Sequence, residues 1–128
     1  MMNRVIKKDD EVYLVLTPNN YIREYRCVRC KIKSMYYRGS TQKDIIEYDD
    51  EKPPYDYKIT LYNIESPKTY YCSKRLDKIY FEDTISQMVE DITNLNKILE
   101  YKTYQKQELR DYIQKEFPNW KYRGKLNI

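Results

Sequence analysis

The chain has 128 residues, 41% apolar and 34% charged, with a net charge of +4. That length admits one domain with a modest core and excludes two full ones. Histidine is absent, which excludes histidine-dependent triads and zinc-hydrolase motifs, and sixteen tyrosines must supply much of the apolar surface that a core or an interface needs.

The opening MMNRVIKKDDE is a charged lead-in without the apolar run of a signal peptide, and no later stretch is apolar for long enough to span a bilayer. A cytoplasmic protein is expected, and three cysteines fit reduced thiols better than a disulfide framework. Glu11 to Thr17 (EVYLVLT) reads as a short strand, and Pro18-Asn19-Asn20 supplies turn chemistry.

The segment Tyr21 to Ser34 (YIREYRCVRCKIKS) then alternates with a strand's two-residue period. Ile22, Val28, Cys30 and Ile32 fall on one side, and Arg23, Tyr25, Cys27, Arg29, Lys31 and Lys33 on the other. Glu24 and Arg26 break the apolar parity, which places the strand's first half at a sheet rim, across a twist or bulge. Arg38 to Lys43 reads as a loop, Ile45 to Tyr48 as a short strand, and Asp49 to Pro54 as a polar connection.

Alternation returns in Tyr55 to Tyr62, with Tyr55, Tyr57, Ile59 and Leu61 opposite Asp56, Lys58, Thr60 and Tyr62. Thr69 to Ser73 is strand-like, and Leu76, Ile79 and Phe81 lead into the next element. At Thr84 the period changes. Thr84 and Gln87 fit a capping box, and Ile85, Met88, Val89, Ile92, Leu95 and Leu99 recur at helical spacing. Leu109, Tyr112, Ile113 and Phe117 resume that stripe, as one long helix or as two meeting near Tyr101 to Thr103, and Pro118 ends it. The expected architecture is α+β in a single domain, residues 1–128: a small five-stranded barrel or bent antiparallel sheet over about 11–82, helices over about 83–117, and a tail over 118–128.

Charge is unevenly placed along this order. From Ile22 to Lys43 seven basic residues face the single acid Glu24, and from Asp44 to Ser66 seven acids face Lys52 and Lys58. The excess of Lys, Asn, Ile and Tyr in a chain without alanine follows A/T-rich codons, as expected of a low-GC bacterial or phage genome.

The succession VYLVL, IREYRCVRCKIK, YDYKITL, TYYC, IYFED and helix, over roughly Glu11 to Leu99, resembles the small Src-homology-3-like barrels of the KOW and Tudor kind found in short proteins of phages and mobile elements. The resemblance implies a non-catalytic protein that binds nucleic acids, nucleoproteins or peptides. It also implies the kind of accessory protein that modulates or inhibits host machinery, an anti-CRISPR or other anti-defence inhibitor among them.

The candidate chemistry is correspondingly one of binding. Cys27 and Cys30 invite a zinc reading, but only Cys72 remains to join them, and strand parity sends the first two to opposite faces. No metal or other cofactor is expected. The carboxylates of Asp44 to Glu51 read as a solvated loop or an acidic contact surface, with no histidine, nucleophile elbow or glycine-rich loop nearby, so an enzyme is not expected.

The row Arg23, Tyr25, Arg29, Lys31, Lys33 combines cations with an aromatic, which suits phosphate neutralisation and base stacking. It equally suits a strand face kept soluble by its charges. Arg38, Lys121, Arg123 and Lys125 are placed to extend the row, and Tyr36, Tyr37, Tyr70, Tyr71, Tyr101, Tyr104 and Trp120 are either anchors for a partner or ordinary core. The expected function is docking on a host protein or nucleoprotein to modulate or inhibit it; the alternatives are direct DNA or RNA binding through Arg23 to Lys33 and a structural or virion role. No membrane partner is expected, and the sequence leaves the oligomeric state open.

Overall fold

A computed structural model describes residues 4–37, 39–48, 57–72, 79–101 and 106–120. The elements are β1 (Arg4–Lys7), β2 (Glu11–Leu16), β3 (Arg26–Tyr37), β4 (Ile45–Tyr48), β5 (Tyr57–Asn63), β6 (Thr69–Cys72), β7 (Ile79–Tyr80), a 3-10 turn (Glu82–Thr84), α1 (Ile85–Tyr101) and α2 (Lys106–Glu116). Five strands form one antiparallel sheet in the order β6-β5-β3-β2-β7, and β1 and β4 form a separate two-stranded ribbon.

The sheet is open: β6 and β7 are its edges and do not pair, so the barrel form of the expected architecture gives way to the bent-sheet form. Among the described residues β7 has two, Ile79 and Tyr80, and both pair with β2. The ribbon takes the place of closure. Ile6, Ile46 and Tyr48 from the ribbon pack on Val12, Leu14, Cys30, Ile32, Met35, Tyr57, Ile59, Leu61, Ile79 and Phe81, burying the sheet's inner face.

β1 falls in the charged lead-in, where its alternation was hidden by flanking lysines. Its entry onto the sheet is set by the turn at Lys8–Asp10. The Lys7 N–H donates to Asp10 Oδ2 (2.8 Å) and Asp9 adopts a left-handed φ of 72°, a conformation that Asp tolerates better than most residues. Arg4 then fastens the ribbon to the helical half. Its guanidinium meets Asp83 with two contacts (2.9 and 3.3 Å) and lies 3.9 Å from the Phe81 ring centre.

β3 starts at Arg26, so the predicted irregularity at Glu24 and Arg26 is not a bulge within the strand: residues 21–25 precede it. The bulge lies at Lys33. Ile32 opposes Leu61 and Ser34 opposes Thr60, which leaves Lys33 as the extra residue on β3. Ile32 and Met35 are both fully buried, as an inserted residue allows and strict alternation does not.

The C-terminal stripe is two helices. Thr84 does not cap forward as the capping-box reading has it: its hydroxyl accepts from the Phe81 N–H (2.8 Å), and Gln87 instead donates to Asp91 (2.9 Å). α1 buries Met88, Asp91, Asn94, Leu95 and Ile98. Rings carry the chain onward: Tyr101 stacks on Tyr112 with centres 4.0 Å apart, Tyr112 meets Phe117 edge-on, and Phe117 meets Trp120 likewise.

Candidate functional site

Antiparallel register decides which side chains share the sheet's outer face, because residues directly opposite one another point the same way. The inner face takes Val12, Leu14, Cys30, Ile32, Ile59 and Leu61, so their neighbours in sequence face outward. Three outer rows follow: Tyr80–Tyr13–Arg29, Glu11–Lys31–Tyr62–Thr69, and Ser34–Thr60–Tyr71. Tyr36 opposite Lys58 makes a fourth, with Lys58 Nζ 5.8 Å from the Tyr36 ring centre. Lys33 is exposed at the bulge between them.

Arg29, Lys33 and Lys58 are exposed and Lys31 is half-buried beside Tyr62. Tyr71 is 74% exposed, an unusual state for so large a ring and one that leaves a π-face open. Glu11, across from Lys31, is the acid set directly among these cations. The surface is thus a shallow platform of positive charge and tyrosine rings, built on β3, β5 and β6. The 3-10 turn and α1 meet the opposite end, where the Tyr13 hydroxyl donates to Glu82 of the turn (3.0 Å) and the Tyr80 hydroxyl donates to Asp91 Oδ2 of α1 (2.5 Å). That bond to Glu82 raises the Tyr13 pKa, with burial adding to it.

The residues expected to form one row do not all meet. Arg29, Lys31 and Lys33 lie on the platform and Tyr36 joins them. Arg23 and Tyr25 precede the strand and point elsewhere in the fold. The Tyr25 backbone is clasped by the Asn96 side chain of α1, its N–H donating to Oδ1 (2.7 Å) and its carbonyl accepting from Nδ2 (3.2 Å). Burial raises its phenol pKa. Arg23 lines a groove of about 580 Å³ between the β2–β3 loop and the end of α1, with Glu100 on the other wall.

Tyr37 turns inward beyond the bulge. Its ring lies 5.0 Å from that of Tyr57 and its hydroxyl donates to the Glu47 carbonyl, so it belongs to the core's margin and not to the platform. Trp120 is half-buried and donates from Nε1 to Asp91 Oδ1 (2.7 Å), tying the segment after α2 to α1. Arg38, Lys121, Arg123, Lys125 and Tyr104 lie outside the described residues, as does the Asp49 to Pro54 connection.

Sequence reasoning missed Tyr62 and Lys58 as members of the surface. The signal was present in their shared parity on β5, but only the β3–β5 register sets them beside Lys31 and Tyr36. The cysteines part as strand parity predicts: Cys27 is exposed and Cys30 buried, and burial pushes the Cys30 thiol up to about 11. Among the described residues no group of three or more Cys, Asp or Glu side chains is placed to hold a metal ion, and no helix is long and apolar enough to cross a membrane.

Comparison with known proteins finds no matching family model, no matching curated protein and no matching solved structure.

Proposed function

We propose that the chain is a non-enzymatic binding protein whose outer sheet face takes single-stranded nucleic acid, free or displayed on a nucleoprotein. One observation carries this reading: the β3–β5–β6 register gathers Arg29, Lys31, Lys33 and Lys58 on one face with Tyr36, Tyr62 and Tyr71. Cations along such a face neutralise phosphates, and rings between them stack on bases without regard to sequence. An open, exposed sheet face suits splayed bases better than the groove of a duplex.

The test is fluorescence anisotropy with labelled single-stranded and duplex oligonucleotides across a salt series. Binding should favour the single strand and weaken as salt rises, and the double charge reversal R29E/K31E should abolish it. Undiminished binding by that variant would remove the platform as the site, and absence of binding by the natural chain at low salt would remove the function.

A second reading, an inhibitor that docks on a host protein, draws support from the ribbon. Val5 and Ile45 are each 57% exposed and are diagonal neighbours on its outer side, across from Glu47 and Lys7. Capture of a protein from nuclease-treated host lysate that depends on Val5 and Ile45, but not on Arg29 and Lys31, selects it.

A further inference from the structure

A second cleft, of about 360 Å³, opens between α1 and the segment after α2, on elements distinct from the platform strands. Among its lining is Asn94, 8% exposed, whose carboxamide has no hydrogen-bond partner among the described residues. A carboxamide both donates and accepts, so on the cleft's lining it is placed to pair with what enters. Phe117 and Trp120 form one wall, while Glu90, Glu116 and Lys97 stand exposed around it.

The chemistry of that lining selects its ligand. Among the described residues two carboxylates stand against one ammonium on this rim; neither Glu90 nor Glu116 is ion-paired there, and Glu90 accepts only a long hydrogen bond from Gln87 (3.5 Å). The Phe117 ring already receives a cation, with Lys97 Nζ 6.0 Å from its centre. A planar cation satisfies every part at once: its N–H groups donate to the Asn94 carbonyl and the carboxylates, and its face stacks on a ring. We infer that the cleft lined by Asn94, Glu116, Phe117 and Trp120 binds a guanidinium group. An ammonium reaches the carboxylates equally well but lacks the flat face and the forked donors that the amide and rings together match.

Trp120 is the chain's only tryptophan, so its emission reports this cleft directly. The full chain is titrated with agmatine, with an arginine-containing tripeptide and with butylamine as the non-planar control. Agmatine and the tripeptide should change Trp120 emission saturably, butylamine at least about tenfold more weakly, and E116Q and N94L should each weaken agmatine by about tenfold, the loss of a charge-assisted hydrogen bond. A stronger response to the tripeptide than to agmatine assigns the site to a protein-borne arginine, and the reverse assigns it to a free small cation. Circular dichroism checks that the variants fold. E116Q changes an exposed side chain and decides alone if N94L does not fold. Absence of a saturable response to either guanidinium probe, equal response to butylamine, or unchanged affinity in E116Q overturns the assignment and leaves a hydrated cleft.

Discussion

Asp91 shows how one buried polar side chain can organise the helical half. It is fully buried and accepts from the Tyr80 hydroxyl, the Trp120 indole and the Gln87 amide, which between them belong to β7, the segment after α2 and α1 itself. Alanine there removes the acceptor that Tyr80, itself 1% exposed, shares with the indole. D91A should therefore lose roughly 3 kcal/mol of stability, with a red shift of Trp120 emission, and Y80F only about 1 kcal/mol. Urea unfolding measures both, and a loss in D91A no larger than in Y80F would dismiss the shared acceptor.

Cys30 is informative in another way, since burial raises its thiol from 9.0 to about 11. A raised pKa means that the folded state holds the proton more tightly. Its contribution to stability is complete below pH 9.0 and is lost as the pH climbs towards about 11. Tyr25 and Tyr37, both raised by burial, act in the same direction above 10.0. Urea midpoints followed from neutral to alkaline pH should fall over that window, and less steeply in C30A. Iodoacetamide should label Cys27 in the native chain and Cys30 only after unfolding, read by peptide mass mapping. Native labelling of Cys30 would contradict its burial.

At the scale of elements, the bulge in β3 makes a sharp comparison. Deleting Lys33 removes the unopposed residue and lets Ile32↔Leu61 and Met35↔Ile59 stand in one regular ladder, with every buried side chain still facing inward. Deleting Lys31 instead sends either Cys30 and its predecessors or Ile32 and its successors to the wrong face. The Lys33 deletion should cost at most about 1 kcal/mol, whereas the Lys31 deletion should prevent folding. Equal damage from both would mean that the bulge's curvature, and not the inward parity, is what the core requires.

This strand also shows the limit of what was legible beforehand. The alternation around Val28 to Ile32 states which side is apolar, and the structure agrees with it. A bulge, however, is set by the partner strand, and nothing in a single strand's period discloses Thr60 and Leu61 across the gap. The break between α1 and α2 was half legible, since the stripe weakens where the helix ends, at Tyr101. β1 was not, because three of its four side chains are only partly covered or exposed and its burial pattern rests on Ile6 alone. The platform was legible as a list of cations and less so as a place: Tyr25 and Trp120 have the residue type of anchors but are held by Asn96 and Asp91, which only tertiary contact reveals.

For the whole molecule, the +4 net charge hides an uneven order of charge along the sequence, with seven cations against Glu24 from Ile22 to Lys43 and seven acids against Lys52 and Lys58 from Asp44 to Ser66. Long-range attraction for a polyanion therefore depends on local charge and not on the sum. Four platform cations, Arg29, Lys31, Lys33 and Lys58, set a numerical expectation. If each displaces one counterion from a single strand, log K should fall against log salt with a slope of about −3. Neutralising two of them as R29Q/K58Q should bring the slope to about −1.5, with the far-UV spectrum unchanged. Y71A should instead leave the slope alone and lower affinity uniformly by about 1–3 kcal/mol, because an exposed ring contributes stacking and no counterion release. The two variants thus separate the two components of one surface. A slope unaffected by R29Q/K58Q would place the phosphates elsewhere on the molecule, even if the affinity itself had dropped.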